Sequence, residues 1–308
     1  MPAAAAAGAT PSASQFARGA FYGIATVSIW AGWIVTTRLG VTTNLTVFDL
    51  AALRFGVGGL LLLPILLHRG FALDRLGWGG LLAIAIGGGA PFVFAAGGGL
   101  SFAPVAHAGA LFPGVMPLFV ALLATAILKE PFPMAKRIGF VLIFAGVLCI
   151  AGLSLLSVGT QSIGHALFLT AAFLWACYTV AMKRARLDGL HAAAISCVIS
   201  MVLYLPVYAL VLGGSESYIP FGTLAFHGFY QGVLTMVVSL FLFGRAVNLL
   251  GASNGAAFGA LGPALATLFA IPILGEIPTT TDWLGIAFIS CGVYLASGGP
   301  LPRRIGLR

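Results

Sequence analysis

Charge is what this sequence has least of. Only 7% of its 308 residues are Asp, Glu, Lys or Arg, against roughly 25% in a soluble globular domain. With 60% hydrophobic residues and a mean hydropathy of +1.08, water is excluded as its main solvent. The alternation of outward apolar and inward polar residues that marks a membrane barrel strand is also missing. Instead the apolar runs are about 20 residues long, the length of a bilayer-spanning helix, and a helix satisfies its backbone hydrogen bonds internally. Cysteine is scarce. Cys149, Cys177, Cys197 and Cys291 each lie inside an apolar run without paired C-x-x-C spacing, which excludes a disulfide framework or a cysteine metal site and leaves them as packing residues. No H-E-x-x-H, G-x-S-x-G or phosphate loop is present, so a membrane enzyme is disfavoured, and neither cofactor, metal nor catalytic residue is expected. The first residues lack the basic start and compact apolar stretch of a cleaved signal, so they read as a disordered tail. The first helix then doubles as the targeting signal.

What the chain does contain falls into ten apolar spans, near 19–37, 47–67, 77–97, 103–127, 136–154, 163–183, 190–212, 221–244, 252–274 and 281–298. The net charge of +8 does not point to nucleic acid, because its Lys and Arg residues cluster in short connections between spans. With both termini cytoplasmic, 13 of the 15 Lys and Arg fall on the inner side, whereas the segments 98–102, 155–162, 213–220 and 275–281 carry none. That is the asymmetry of the positive-inside rule. Arg38, at the outer end of the first span, and Arg54, inside the second, are the two exceptions.

The sequence also repeats itself. A shift of 146 residues pairs Gly109, Phe112, Pro117, Leu128 and Glu130 with Gly255, Phe258, Pro263, Leu274 and Glu276, and Gly139 and Gly146 with Gly285 and Gly292. A shift of 145 pairs Trp30 and Arg38 with Trp175 and Lys183. An odd number of spans per repeat forces the second copy to enter the bilayer from the other side, giving an inverted-topology repeat of the kind common in secondary transporters. The fold expected is therefore an all-α integral membrane protein of ten transmembrane helices in a 5+5 inverted repeat. Its parts are a disordered cytoplasmic tail at 1–18, a first repeat at 19–156, a second, inverted repeat at 157–298 and a basic cytoplasmic tail at 299–308.

Particular stretches sharpen this. Ile29-Trp30-Ala31-Gly32, Ala52-Leu53-Arg54-Phe55, and Ile273-Leu274-Gly275-Glu276 followed by Leu284-Gly285 and Gly292-Val293 resemble the drug/metabolite transporter superfamily, EamA type. The resemblance covers about residues 19–298 and is closest to the YddG-type exporters of aromatic amino acids. It implies a bacterial inner-membrane protein with a central cavity formed by helices 1, 3, 4, 6, 8 and 9. Arg54 belongs to the family pattern. Lys129 stands where the family usually has Gly before Glu130.

Candidate site residues follow from polarity and helix disruption. Gly87, Gly88, Gly89 and Pro91 make the strongest break in any span, either as a hinge lining the cavity or as a close helix contact. Pro113, Pro117 and Pro263 provide further bends. Trp30 and Trp175 sit mid-span, away from the interfaces Trp prefers; together with Trp33 and Tyr178, three residues later on the same faces, they are expected to line the cavity. His227, Tyr230 and Gln231 form a polar stripe that either binds substrate or clamps two helices. His107 and Asn254 are placed near opposite mouths, and a histidine there either carries a proton or simply packs. Arg54 is expected to pair with Asp49, Glu130, Glu276 or a carbonyl, and Glu130 and Glu276 to hold end contacts or gate.

The shortage of mid-span charge excludes a sugar phosphate, which needs several fixed cations. A neutral or zwitterionic solute fits, and export of amino acids, aromatic and other neutral types first, by alternating access is the expected activity. Multidrug efflux is the alternative, with a passive channel behind it. Partners are the solute and membrane lipid, not nucleic acid; the oligomeric state is left open. No mid-span acid marks a proton relay, so facilitation, weakly coupled antiport and strict proton coupling all remain open.

Overall fold

The computed structural model describes residues 13–130, 133–156, 159–212, 219–251, 255 and 257–297. The described residues are almost entirely helical, with no strand among them. Eight helices are long and apolar enough to span a bilayer: α1 (Ser14–Val41), α2 (Val47–Arg69), α3 (Leu73–Phe102), α4 (Val105–Leu128), α5 (Met134–Gly152), α6 (Thr160–Arg184), α7 (Gly189–Val211) and α8 (Phe221–Leu250). Two shorter apolar helices, α9 (Phe258–Leu274) and α10 (Thr280–Ala296), complete the set. Helix α1 begins at Ser14 and so takes in the last residues of the stretch read as a tail; residues 1–12 and the basic segment 299–308 lie outside the described residues.

The helix ends obey local chemistry. Thr46 and Asp49 form a reciprocal capping box at the start of α2, and Thr279 and Asp282 form another at the start of α10. Asp188 caps α7 by accepting from the His191 N–H at 3.0 Å and pairs with Arg69 at 2.5 Å. Partial burial pushes the Asp188 carboxyl up, but the His191 N–H and the Arg69 guanidinium pull it further down, and it rests below its ordinary value. At the ends of α4 and α9 the chain turns through the left-handed region, at Lys129 (φ 57°) and at Gly275 (φ 67°). The two positions are repeat equivalents.

Helix breaks also recur in both halves. Helix α3 is interrupted at Gly88 and Gly89, where the backbone leaves helical geometry before Pro91 restarts it. Helix α4 opens at residues 112–115 around Pro113 and resumes with Pro117 in its first turn; α9 passes from a 3-10 segment, Phe258–Leu261, into an α-helix with Pro263 in the equivalent turn. In α8 the stretch Phe229–Val238 is a π-helix, a wide turn that re-aims side chains and recurs at functional positions.

The packing shows the inversion directly. Helix α1 packs on α8 and α9 as its counterpart α6 packs on α3 and α4, while α2 meets α7 and α5 meets α10. Between α5 and α10, Gly139 lies against the Gly292 carbonyl and Gly146 against the Gly285 carbonyl. Gly139 is the counterpart of Gly285, and Gly146 of Gly292. Exchanging the two halves therefore maps one contact onto the other, and the two helices run antiparallel. Small residues at this seam let the backbones approach in a lipid environment, where hydrophobic burial gives no drive between helices. We call the end holding the Lys- and Arg-poor connections the outer end, after the charge rule.

Candidate functional site

At the interior, both halves contribute to one aromatic cluster. Phe92, 1% exposed and three residues beyond the α3 break, has its ring centroid 4.9 Å from Trp175 of α6, 5.3 Å from Phe112 of α4 and 6.1 Å from Trp33 of α1. Trp175 in turn lies 5.0 Å from Tyr178. The glycine break makes this possible: a Cβ on Gly88 would stand 2.8 Å from the Tyr178 ring, and one on Gly87 would collide with the Leu174 carbonyl. At Gly87 and Gly88 the bare backbone of the break abuts α6, and at Gly89 it faces Ser200 of α7. Pro91 itself is exposed and stands outside the cluster.

Arg54 reaches this cluster from α2. It is 2% exposed, and its guanidinium carbon lies 5.2 Å from the Trp33 ring centroid, a cation–π geometry. Its Nη1 donates to Gln231 Oε1 at 3.5 Å. The same oxygen accepts from Trp33 Nε1 at 2.5 Å, and Gln231 Nε2 donates to Thr37 Oγ1 at 3.0 Å. This network fixes the amide orientation. Among the described residues Arg54 Nε has no partner.

Of the partners expected for Arg54, a carbonyl is the one it meets, the amide oxygen of Gln231, and the three acids are engaged elsewhere. Asp49 is held in its capping box and accepts from Tyr208 Oη at 2.5 Å. Glu130 pairs with Lys183 at 2.5 Å, and Glu276 with Arg38 at 2.7 Å. The inversion sends the two glutamates to opposite helix ends, away from Arg54. Trp30 engages α8 instead of the Phe92 cluster: its Nε1 donates to Ser239 Oγ at 3.0 Å, and its ring packs 5.5 Å from Phe243.

The stripe on α8 lies along α1. Tyr230 Oη donates to the Ile29 carbonyl at 3.3 Å and sits where a side chain on Gly32 would collide. Gln231 alone of the three reaches Arg54. His227, near Gly40, borders a cavity of about 390 Å³ at the outer end together with Thr43 and Phe226. Also at the outer end, His107 contacts His165 at 2.9 Å and Asp282 at 3.2 Å. Asn254 lies outside the described residues. Among the described residues, no group of three or more His, Cys, Asp or Glu is arranged to hold a metal.

The cluster lies between two inverted halves, and sequence comparison assigns both halves to one family. Residues 17–152 and again 162–298 match the EamA-like transporter family. The chain belongs to the EamA-like transporter family. It is a multi-pass membrane protein with two tandem EamA repeats. A curated relative, the uncharacterized transporter YyaM of Bacillus subtilis (strain 168), is 29% identical over 199 residues, covering 62% of this chain and 64% of that protein. A solved crystal structure shares the fold, with TM-score 0.59 at 22% identity, covering 92% of this chain and 96% of that one.

The clusters described include residues that sequence reasoning passed over as site candidates: Phe92, Phe112, Thr37, His165 and Asp282. Two of them carried a readable signal. Phe92 directly follows Pro91 and Phe112 directly precedes Pro113, so an aromatic residue beside a helix break marks the interior here.

Proposed function

We propose that this transporter moves small carboxylate-bearing, zwitterionic solutes, aromatic and other neutral amino acids first, outward across the bacterial inner membrane by alternating access of its two halves. The observation that carries this reading is Arg54: a buried guanidinium with no carboxylate partner among the described residues, held over Trp33 beside the cluster of Phe92, Phe112, Trp175 and Tyr178. An uncompensated interior charge is expensive in a membrane protein. A substrate carboxylate offsets that cost when it binds, through charge-assisted hydrogen bonds to the guanidinium. The adjoining rings then receive an aromatic or apolar side chain by edge or offset stacking. Multidrug export of cations fits this site worse, because a fixed buried Arg repels a second positive charge.

Counterflow into liposomes holding the purified protein tests the proposal, with radiolabelled phenylalanine, threonine, phenethylamine and a lipophilic drug cation offered separately. Saturable, stereospecific exchange of phenylalanine is expected, with phenethylamine, which lacks the carboxylate, not exchanged. Arg54→Gln should weaken phenylalanine binding about tenfold or more, the worth of a hydrogen bond to a charged group. Exchange of the drug cation or of phenethylamine in preference to phenylalanine would overturn the reading.

A further inference from the structure

We infer that His107, His165 and Asp282 form a proton-binding site at the outer end of the transporter, through which solute movement is coupled to protons. This goes beyond the choice of solute and does not depend on it. His107 Nδ1 meets His165 Nε2 at 2.9 Å, and His107 Nε2 meets Asp282 Oδ1 at 3.2 Å. The three side chains come from α4, α6 and α10 and are 9%, 0% and 7% exposed. Asp282 is anchored by its other oxygen, which accepts from Thr279 N–H and Oγ1–H at 2.8 Å each, so its Oδ1 is presented to His107.

The hydrogen-bond chain has a protonation logic. As an imidazolium, His107 donates Nε2–H to Asp282 Oδ1 and Nδ1–H to His165 Nε2, and its charge balances the carboxylate. Release of one proton to water leaves His107 a single N–H for its two neighbours and the chain one negative charge. Nothing is oxidised or reduced; one N–H bond breaks and one O–H bond forms when the proton leaves, and the reverse when it returns.

Water has a path to the chain. A cavity of about 40 Å³ is bordered by Asp282, Glu276, Pro104 and Thr267, and a site of roughly 10–15 Å³ admits a water molecule. The surrounding charges are few. From the end of α9 comes Glu276, which accepts from Val105 N–H at 2.7 Å and is neutralised by Arg38 of α1 at 2.7 Å. Neither α3 nor α5 presents a titratable side chain at this depth among the described residues, apart from the exposed Cys149 of α5. Arg38 also donates to the Leu100 carbonyl of α3. The helix ends that carry the proton site are therefore the ones that Arg38 and Glu276 tie together. Parting those ends admits water to the histidines, and proton occupancy is thereby linked to the opening of the outer end, with the reciprocity that linkage requires.

Two measurements decide it. In full-length protein labelled with nitrogen-15 histidine and placed in lipid nanodiscs, the ring signals of His107 and His165 should move together in one shared step as the pH is lowered. In Asp282→Asn that step should shift, and in His165→Asn or His165→Gln His107 should titrate without a partner. Independent titration of the two rings, or no response of either down to the pH at which the protein unfolds, would overturn the proposal. In vesicles loaded with a pH-sensitive dye, phenylalanine movement by the wild type should carry protons, and the ratio of protons to solute should fall to background in His165→Gln; an unchanged ratio overturns it. If phenylalanine does not move at all, the amino-acid reading fails, and the nanodisc titration alone decides the proton site.

Discussion

Lys129 occupies a position that favours glycine. At φ 57° it ends α4 in the left-handed region, where an L side chain crowds the following carbonyl at a cost of roughly 1–2 kcal/mol. Its repeat counterpart, Gly275, makes the same turn at φ 67° without that cost. The departure from the family pattern noted in the sequence is therefore a local strain, tolerated beside the Glu130–Lys183 pair. Lys129→Gly should stabilise the folded protein by about 0.5–1 kcal/mol after the larger chain entropy of glycine is deducted. A higher midpoint of thermal unfolding in detergent checks this; an unchanged or lower one shows that the Lys129 stem contributes more by packing than its backbone costs.

At the scale of elements, the interrupted helices do the positioning. Unbroken, α3 would carry Phe92 at an angle fixed by helical geometry; broken at Gly88 and Gly89, it delivers that ring into contact with Trp175 and Phe112. Gly87 has its own constraint, because the atom a Cβ would strike is the Leu174 carbonyl of α6, part of a helix backbone that cannot rotate away. Gly87→Ala should therefore destabilise by about 1–3 kcal/mol, the usual cost of overpacking. It should also lower counterflow in whatever protein remains folded, since the α3–α6 seam carries Phe92 and Tyr178. Wild-type melting and rates in that variant would show that the seam is looser than the structure has it.

Across the whole molecule, the two repeats build one repeat-equivalent ion pair at each end, and Arg69–Asp188 adds a further pair at the inner end. Arg38–Glu276 at the outer end and Lys183–Glu130 at the inner end are the same contact written twice, since Arg38 corresponds to Lys183 and Glu130 to Glu276. Alternating access requires that one end open while the other stays shut, and a pair of equivalent ties at opposite ends provides two such closures. Glu276→Gln should lengthen spin-label distances between the outer ends of α1 and α9 while leaving the inner ends of α4 and α6 unchanged, and Glu130→Gln should do the reverse. Equal changes at both ends for either variant would show that the pairs do not act as separate ties. The outer tie is embedded in other bonds, to Val105 and Leu100, and the inner tie is more exposed, with the Lys183 side chain 56% accessible. Neutralising the inner pair should therefore cost less stability.

The sequence alone determined the helices, their number, the repeat and its inversion. Each of these rests on local quantities: about 20 apolar residues satisfy a bilayer wherever they occur, and an odd number of spans fixes the direction of the next repeat. It also marked Trp33, Trp175, Tyr178, Gln231 and Arg54 as interior residues, because indole, amide and guanidinium groups are costly against lipid. Only the tertiary structure decided their partners. Whether Trp30 or Trp33 faces the centre depends on the rotation of α1 against α8, which packing sets and hydropathy does not. Arg54 meets an amide carbonyl rather than a carboxylate because the fold commits Asp49 to a helix cap and Glu130 and Glu276 to end pairs. The contacts that join His107 to His165 and Asp282 span 58 and 175 residues of sequence. They exist because three helix ends from both halves converge, an arrangement that no single span encodes.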